Sequence, residues 1–144
     1  MGFTGGLLVS AAITSCEGLI RDDKVVVMFS ALAISLLLLV NTARMVAHEP
    51  VLRLSAALTA TAQTQRGTHH TKVIGRPGCH RGRWWAAGQN LAWGFWTPEE
   101  AFDAWMKSPE HRANILEPIY RRTGIARVVI KGGIPVWVED FCAP

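Results

Sequence analysis

The sequence predicts an α+β domain in which helices are layered on an antiparallel sheet. Three observations predict it. Two helix starts follow each other closely, at Thr97-Pro98 and at Ser108-Pro109. Two β-rich runs, 125–131 and 134–141, flank Gly132-Gly133. The 144 residues suffice for one compact domain and not for two.

Residues 25–40 read VVVMFSALAISLLLLV, sixteen residues without a charge. A membrane span needs roughly 17–25 residues, and the apolar region of a signal peptide has about 7–15. Three readings stand: a signal anchor or uncleaved export signal; a cleaved signal with its start assigned too early, since Met28 lies inside it; and a buried core helix. The favoured expectation is export, with residues 36–40 also feeding the first helix of the domain. Residues 1–24 read as an N-terminal tail. Ile13-Thr14-Ser15-Cys16 resembles a lipoprotein processing site, but no Lys or Arg precedes it. Cys16 is read as a free cysteine.

The domain, 41–144, starts with helix up to about Ala47. Glu49-Pro50 breaks it, because the residue before proline avoids the helical region. Ser55 is the N-cap of a second helix over 56–65, with Leu54, Leu58 and Ala62 as its apolar stripe. Residues 66–83 hold four glycines, a proline and three of the five histidines, and read as a long basic loop. A strand centres on Gly88-Gln89-Asn90-Leu91-Ala92. Thr97 caps the clearest helix, with Pro98 at its first position and Glu100 completing a capping box. A short helix over 110–116 follows and carries His111 in its first turn. Gly132-Gly133 joins the last two strands as a two-residue hairpin. Ala126, Val128 and Ile130 face one way, and Pro135, Trp137 and Phe141 share the core side.

Hydrophobic residues make up 49% of the chain and charged ones 18%, which excludes a disordered chain. Beyond residue 40, thirteen Lys and Arg against eight Asp and Glu leave +5. These cations are scattered, which suits an anionic envelope and gives no nucleic-acid signature. Cys79 and Cys142 are the two cysteines of the domain, and in an oxidising compartment they could form a bridge. No serine-nucleophile elbow, phosphate loop or CxxC pair is present.

From Leu39-Val40-Asn41-Thr42-Ala43-Arg44 onward, the chain resembles a known family. The match continues through GQNLAWG, TPEEAFDAWMKSPEHRANIL and YRRTGIARVV to Pro135-Val136-Trp137-Val138-Glu139-Asp140-Phe141. It is similar to the CAP superfamily of cysteine-rich secretory, antigen 5 and pathogenesis-related proteins, in its bacterial SCP-like branch. The resemblance covers about 100 residues in order. It implies a three-layer α-β-α sandwich with a central antiparallel sheet, and an extracytoplasmic location.

Members of that family often carry two histidines and two acidic residues around a central cleft. Such a set can hold zinc or exchange protons. By resemblance, His111 is the second histidine and His70 the best match to the first, with His69 or His80 able to substitute. The first acidic position is Gln89 and the second is Ser108. Gln89 cannot titrate or act as a charged ligand. Glu110, next to His111 in sequence, points about 100° away on a helix and replaces neither. A two-histidine site is expected to bind zinc weakly. Asn90 is expected to be structural, and Trp105, Trp137 and Phe102 to be core.

Trp84, Trp85, Trp93 and Trp96 exceed what one small strand buries. Aromatic platforms of this kind serve carbohydrate or apolar ligands. The expected cleft comprises His70, Gln89, Asn90, Trp93, Trp96 and His111. The expected function is an exported or membrane-tethered binding or scaffold module, partnered by a cell-envelope component, lipid or carbohydrate, and by the membrane through residues 25–40. Two rivals stand. One is a hydrolase, or weak metal-dependent enzyme, using His70 and His111. The other is a lipid- or sterol-binding protein with a pocket of Trp93, Trp96 and Ile119.

Overall fold

In a computed structural model, residues 18–22, 25–73, 78–79 and 86–144 are described, with side chains from residue 30 onward. The first 17 residues with Cys16, and also His80, Trp84 and Trp85, lie outside the described residues. Strands β1 (Gly18–Asp22) and β2 (Val25–Phe29) pair antiparallel. The apolar run 25–40 is thus divided at Ser30, which caps helix α1 (Ala31–Val46) by accepting from the Ala33 N–H. The α1 residues Ala33, Leu36, Val40 and Arg44 are buried. Among the described residues, no helix is long and apolar enough to cross a membrane.

α1 closes where Glu49-Pro50 predicts a break. His48 takes the left-handed conformation (φ 61°), and the Glu49 N–H returns to the Arg44 carbonyl at 2.8 Å. The Asn41 amide then ties α1 to the next segment, donating to Leu52 O and accepting from Leu52 N–H at 3.0 and 2.8 Å. Strand β3 is only Arg53–Leu54. Ser55 caps helix α2 (Ala56–Ala62). α2 stops short of Gln65, because the Thr64 and Gln65 N–H groups reach back only three residues, to Thr61 and Ala62. Leu54 therefore belongs to a strand and not to the helical stripe expected of it.

β4 (Ala87–Trp93), α3 (Pro98–Lys107), α4 (Pro109–Leu116), β5 (Arg122–Ile130) and β6 (Ile134–Cys142) complete the domain. The capping box at Thr97 and Glu100 is present as read. The sheet order is β3-β5-β6-β4, antiparallel apart from the two-residue β3, which runs parallel to β5. Helices α1, α3 and α4 cover one face and α2 the other, giving a three-layer α-β-α sandwich.

Two details of the last hairpin differ from expectation. Ile130 pairs with Ile134, so the turn holds three residues, Lys131 to Gly133. Its two glycines have φ of 90° and 76°, which only glycine adopts at low cost. The Ala126 set and the Trp137 set also lie on opposite faces. Ala126, Val128 and Ile130 pack with Leu91, Val136 and Val138 beneath α2. Trp137 and Phe141 pack with Ile125, Leu36, Val40 and Trp105 beneath α1 and α3. A sheet covered on both sides has no wet face, so alternation in β6 marks two cores and not one.

α2 sits unusually close to the sheet. A Cβ at Gly124 would collide with the backbone of Leu58 and Thr59. Leu58 joins a third cluster with Val73, Cys79 and Cys142. The two cysteines are bridged, with Cα atoms 5.6 Å apart and 63 positions between them in sequence. The bridge fastens the end of the long loop to the end of β6. On the chain-entropy account a loop of this size contributes about 4 kcal/mol. Cys79→Ser/Cys142→Ser should therefore lose about 3–4 kcal/mol in urea unfolding. A loss below about 1 kcal/mol would show that the bridge constrains little.

Glu139 is a buried carboxyl at the centre of the sheet. It is fully shielded from solvent; its Oε1 accepts from the Thr123 hydroxyl at 3.1 Å, and Oε2 has no partner. Burial pushes its pKa from 4.5 up to about 8, with Thr123 and Arg44 pulling it back and Asp140 adding to the rise. The folded chain therefore holds a proton there that the unfolded chain has released above about 4.5. That contribution is complete below about pH 4.5 and is lost as pH rises through about 8. Glu139→Gln should remove the decline and, at pH 8.5, stabilise the domain by a few kcal/mol, to within about a factor of two. Unfolding free energies at pH 5 and 8.5 check this; a wild-type curve flat across that range would contradict it.

Candidate functional site: a two-histidine cleft on the β4 edge

β4 is an edge strand, so side chains at its rim meet both α4 and the loop after α2. Three polar anchors shape the cleft there. Asn90, fully buried, donates from Nδ2 to the His111 carbonyl at 3.0 Å and accepts from Asn114 Nδ2 at 2.9 Å. Both bonds fasten β4 to α4. Gln65, also buried, donates to the Gly67 and His69 carbonyls, each at 2.7 Å, and so folds the loop back toward β4.

The third anchor is Gln89. Its Oε1 accepts from the Thr71 N–H at 2.8 Å, and its Nε2 donates to Thr71 Oγ1 at 3.0 Å and to Asp140 Oδ1 at 2.8 Å. The Thr71 N–H only donates, so the amide oxygen faces it and the amide nitrogen faces Asp140. His70 Nδ1 lies 3.3 Å from Oε1. An amide oxygen cannot donate, so in this contact His70 Nδ1 is the donor.

His111 faces His70, with ring centroids 6.5 Å apart and planes tilted by 32°. Its Nδ1 sits 2.8 Å from Ser108 Oγ. Burial lowers its pKa, His70 lowers it further, and Glu110 opposes them through its charge. His69 is exposed and contributes its backbone carbonyl to the loop. Trp93, 52% exposed, lines a groove of about 340 Å³ with Phe95, Trp105, Ser108 and His111. Trp96 and Ile119 are not part of that lining. Trp96 stacks beside Arg127, and Ile119 packs against the main core.

Asp140, Thr71, Gln65 and Asn114 are the site residues that sequence reading misses. Asp140 was legible only as one residue of a closing strand; its meeting with Gln89 comes from the β4–β6 register. Among the described residues, the donor set does not fit zinc. Two imidazoles face the cleft, the Gln89 amide is already used on both sides, and Asp140 lies behind it. Among the described residues, no three His, Cys, Asp or Glu side chains come together as metal ligands.

Two outcomes follow. The His111 titration midpoint, followed by NMR, should lie below 6.5. In His70→Ala it should rise but stay below 6.5, because burial is the larger cause. A midpoint unmoved by His70→Ala would separate the rings electrically. Second, Gln89→Glu sets a carboxylate against Asp140 and should cost about 2–3 kcal/mol at pH 7.5. Adding Asp140→Asn restores a donor and should recover at least half of that loss in a double-mutant cycle. Additive losses would mean the two side chains do not interact.

A family model described as the Cysteine-rich secretory protein family, CAP, matches residues 37–141. Over 55 residues the chain is 44% identical to the protein YkwD of Bacillus subtilis (strain 168). That stretch is 38% of this chain and 20% of YkwD, so the match spans a fifth of that relative. Among solved structures, venom allergen-like protein 4 of Schistosoma mansoni superposes with a TM-score of 0.67 at 14% identity, covering 81% of this chain and 90% of that one. An outer surface protein of Borrelia burgdorferi gives 0.62 at 15%, covering 76% and 90%. A cysteine-rich secretory protein of Staphylococcus aureus gives 0.57 at 17%, covering 78% and 38%. At such identities the structural likeness speaks for the fold alone. The sandwich, the edge-strand cleft and the family match over 37–141 together make this chain a member of the CAP, or cysteine-rich secretory protein, family.

Proposed function

We propose that this CAP domain is an exported recognition module of the cell envelope whose cleft binds a ligand and does not cleave it. One observation carries the reading. The Gln89 amide is consumed by Thr71 and Asp140, and among the described residues no carboxylate hydrogen-bonds to either imidazole of the cleft. A His70 ring held at Nδ1 by the Gln89 amide, and a His111 biased toward its neutral form, suit hydrogen bonding to hydroxyls and amides better than they suit acid–base turnover. Export is supported by the Cys79–Cys142 bridge, which belongs to oxidising compartments, and by the apolar run at 25–40. If that run directs export, its part after Ser30 also folds as α1.

A sedimentation assay with purified cell-wall sacculi tests this. The protein should co-sediment, His111→Gln should weaken retention several-fold, and no soluble fragments should appear. Fragment release that depends on His111 would move the domain to the hydrolases. Failure to co-sediment would remove the wall as its partner.

A second reading, an apolar-ligand protein, is favoured by a different feature. A groove of about 760 Å³ runs between α1, α3 and α4, lined by Leu38, Leu39, Val46, Phe102, Met106 and Leu116. It differs from the pocket expected around Trp93, Trp96 and Ile119. Binding of a fluorescent fatty acid that Met106→Glu abolishes would support this reading.

A further inference from the structure

Among the described residues, Arg127 is a cation without a paired anion. It stands on β5 opposite Trp137 of β6. Its Cζ lies 5.3 Å from the Trp96 ring centroid and 5.9 Å from that of Trp137. Trp137 is fully buried and held by its Nε1–H, which donates to the Phe95 carbonyl at 3.0 Å. Trp96, by contrast, is 64% exposed. Arg127 Nε is shielded from solvent and has no hydrogen-bond partner. Among the described residues, no carboxylate pairs with this guanidinium. Glu100, four residues beyond Trp96, spends its Oε2 on the Trp96 and Thr97 N–H groups.

Each part of this arrangement selects for part of a ligand. Two indoles hold the guanidinium plane in place, so little freedom remains to be lost when its fork engages an acceptor. A planar carboxylate matches that fork. An indole face open to solvent stacks on the C–H face of a sugar ring, and gives a peptide side chain no pocket to enter. The net +5 beyond residue 40 favours an anionic partner over a neutral one.

We propose that Trp96 and Arg127 form a binding site for a carboxylated saccharide, with a sugar ring on Trp96 and its carboxylate on Arg127. The site is separate from the histidine cleft, so its failure would leave the reading of the cleft untouched.

Calorimetric titration of the full chain with trigalacturonic acid tests it, with neutral chitotriose and hexaglutamate as comparisons. The acidic trisaccharide should bind about tenfold or more tightly than either comparison. Trp96→Ala and Arg127→Gln should each weaken it about tenfold, while His111→Gln should leave it unchanged. Should Arg127→Gln fail to fold, Arg127→Lys serves instead; it keeps the charge but not the fork, and should weaken binding by a similar factor. Equal binding of chitotriose would overturn the role of Arg127. Equal binding of hexaglutamate, unaffected by Trp96→Ala, would show an acidic-peptide or general charge surface. No binding of trigalacturonic acid would overturn the proposal outright.

Discussion

The rest of the domain depends on one buried guanidinium. Arg44, in the last turn of α1, is fully shielded from solvent. Its Nε donates to Pro50 O at 2.6 Å, Nη1 to Ile115 O at 2.6 Å and Glu117 O at 3.0 Å, and Nη2 to Tyr120 O at 3.4 Å. One side chain thereby joins α1, the approach to β3, the end of α4 and the approach to β5. The Ile115 carbonyl is buried at this joint, and losing its charged donor would cost about 1–3 kcal/mol. The Ile115 and Glu117 carbonyls lie at the C-terminal end of α4, where a cation also complements the helix dipole. A lysine could not replace it, because its three donors leave a single point and cannot fan out to four acceptors.

The cleft inherits its geometry from that joint. Arg44 fixes the C-terminal end of α4, and Asn90 fixes the His111 carbonyl near its start. His111 is therefore presented by a helix held at both ends. Its counterpart His70 is held by a hydrogen-bonded chain from Asp140 through Gln89 to Thr71, with Gln65 bracing the loop beneath. Negative charge is present in this part of the molecule, at Asp140 and, once ionised, at Glu139, but both lie inside the sheet. The cleft receives hydrogen-bonding groups and little charge, which is the basis of the recognition role proposed for it.

What the sequence disclosed follows from how local each signal is. The capping box at Thr97, the cap at Ser55 and the glycine turn are written in adjacent residues, and the elements they begin or join are present. The pairing of His70 with His111 came from the resemblance to the family. The Asp140–Gln89 contact depends on register across 51 positions, and Arg44 reaches carbonyls 71 to 76 positions away. Neither leaves a periodic trace. The two faces of β6 were merged for a related reason: when both sides of a strand are buried, apolar residues occur at every position and alternation loses its meaning. The apolar run at 25–40 resisted reading because a buried helix and an export segment have similar composition at that length.

The most direct test of this account is Arg44→Met, which keeps much of the side chain's bulk and removes its donors. Urea unfolding should show a loss of about 3–5 kcal/mol, since four carbonyls lose the one guanidinium that joins them. In the folded fraction, the NMR titration midpoint of His111 should move up toward 6.5 as α4 loosens and the ring gains water. A loss below about 1 kcal/mol with an unchanged His111 midpoint would contradict it, and would mean that the apolar core alone sets the position of α4.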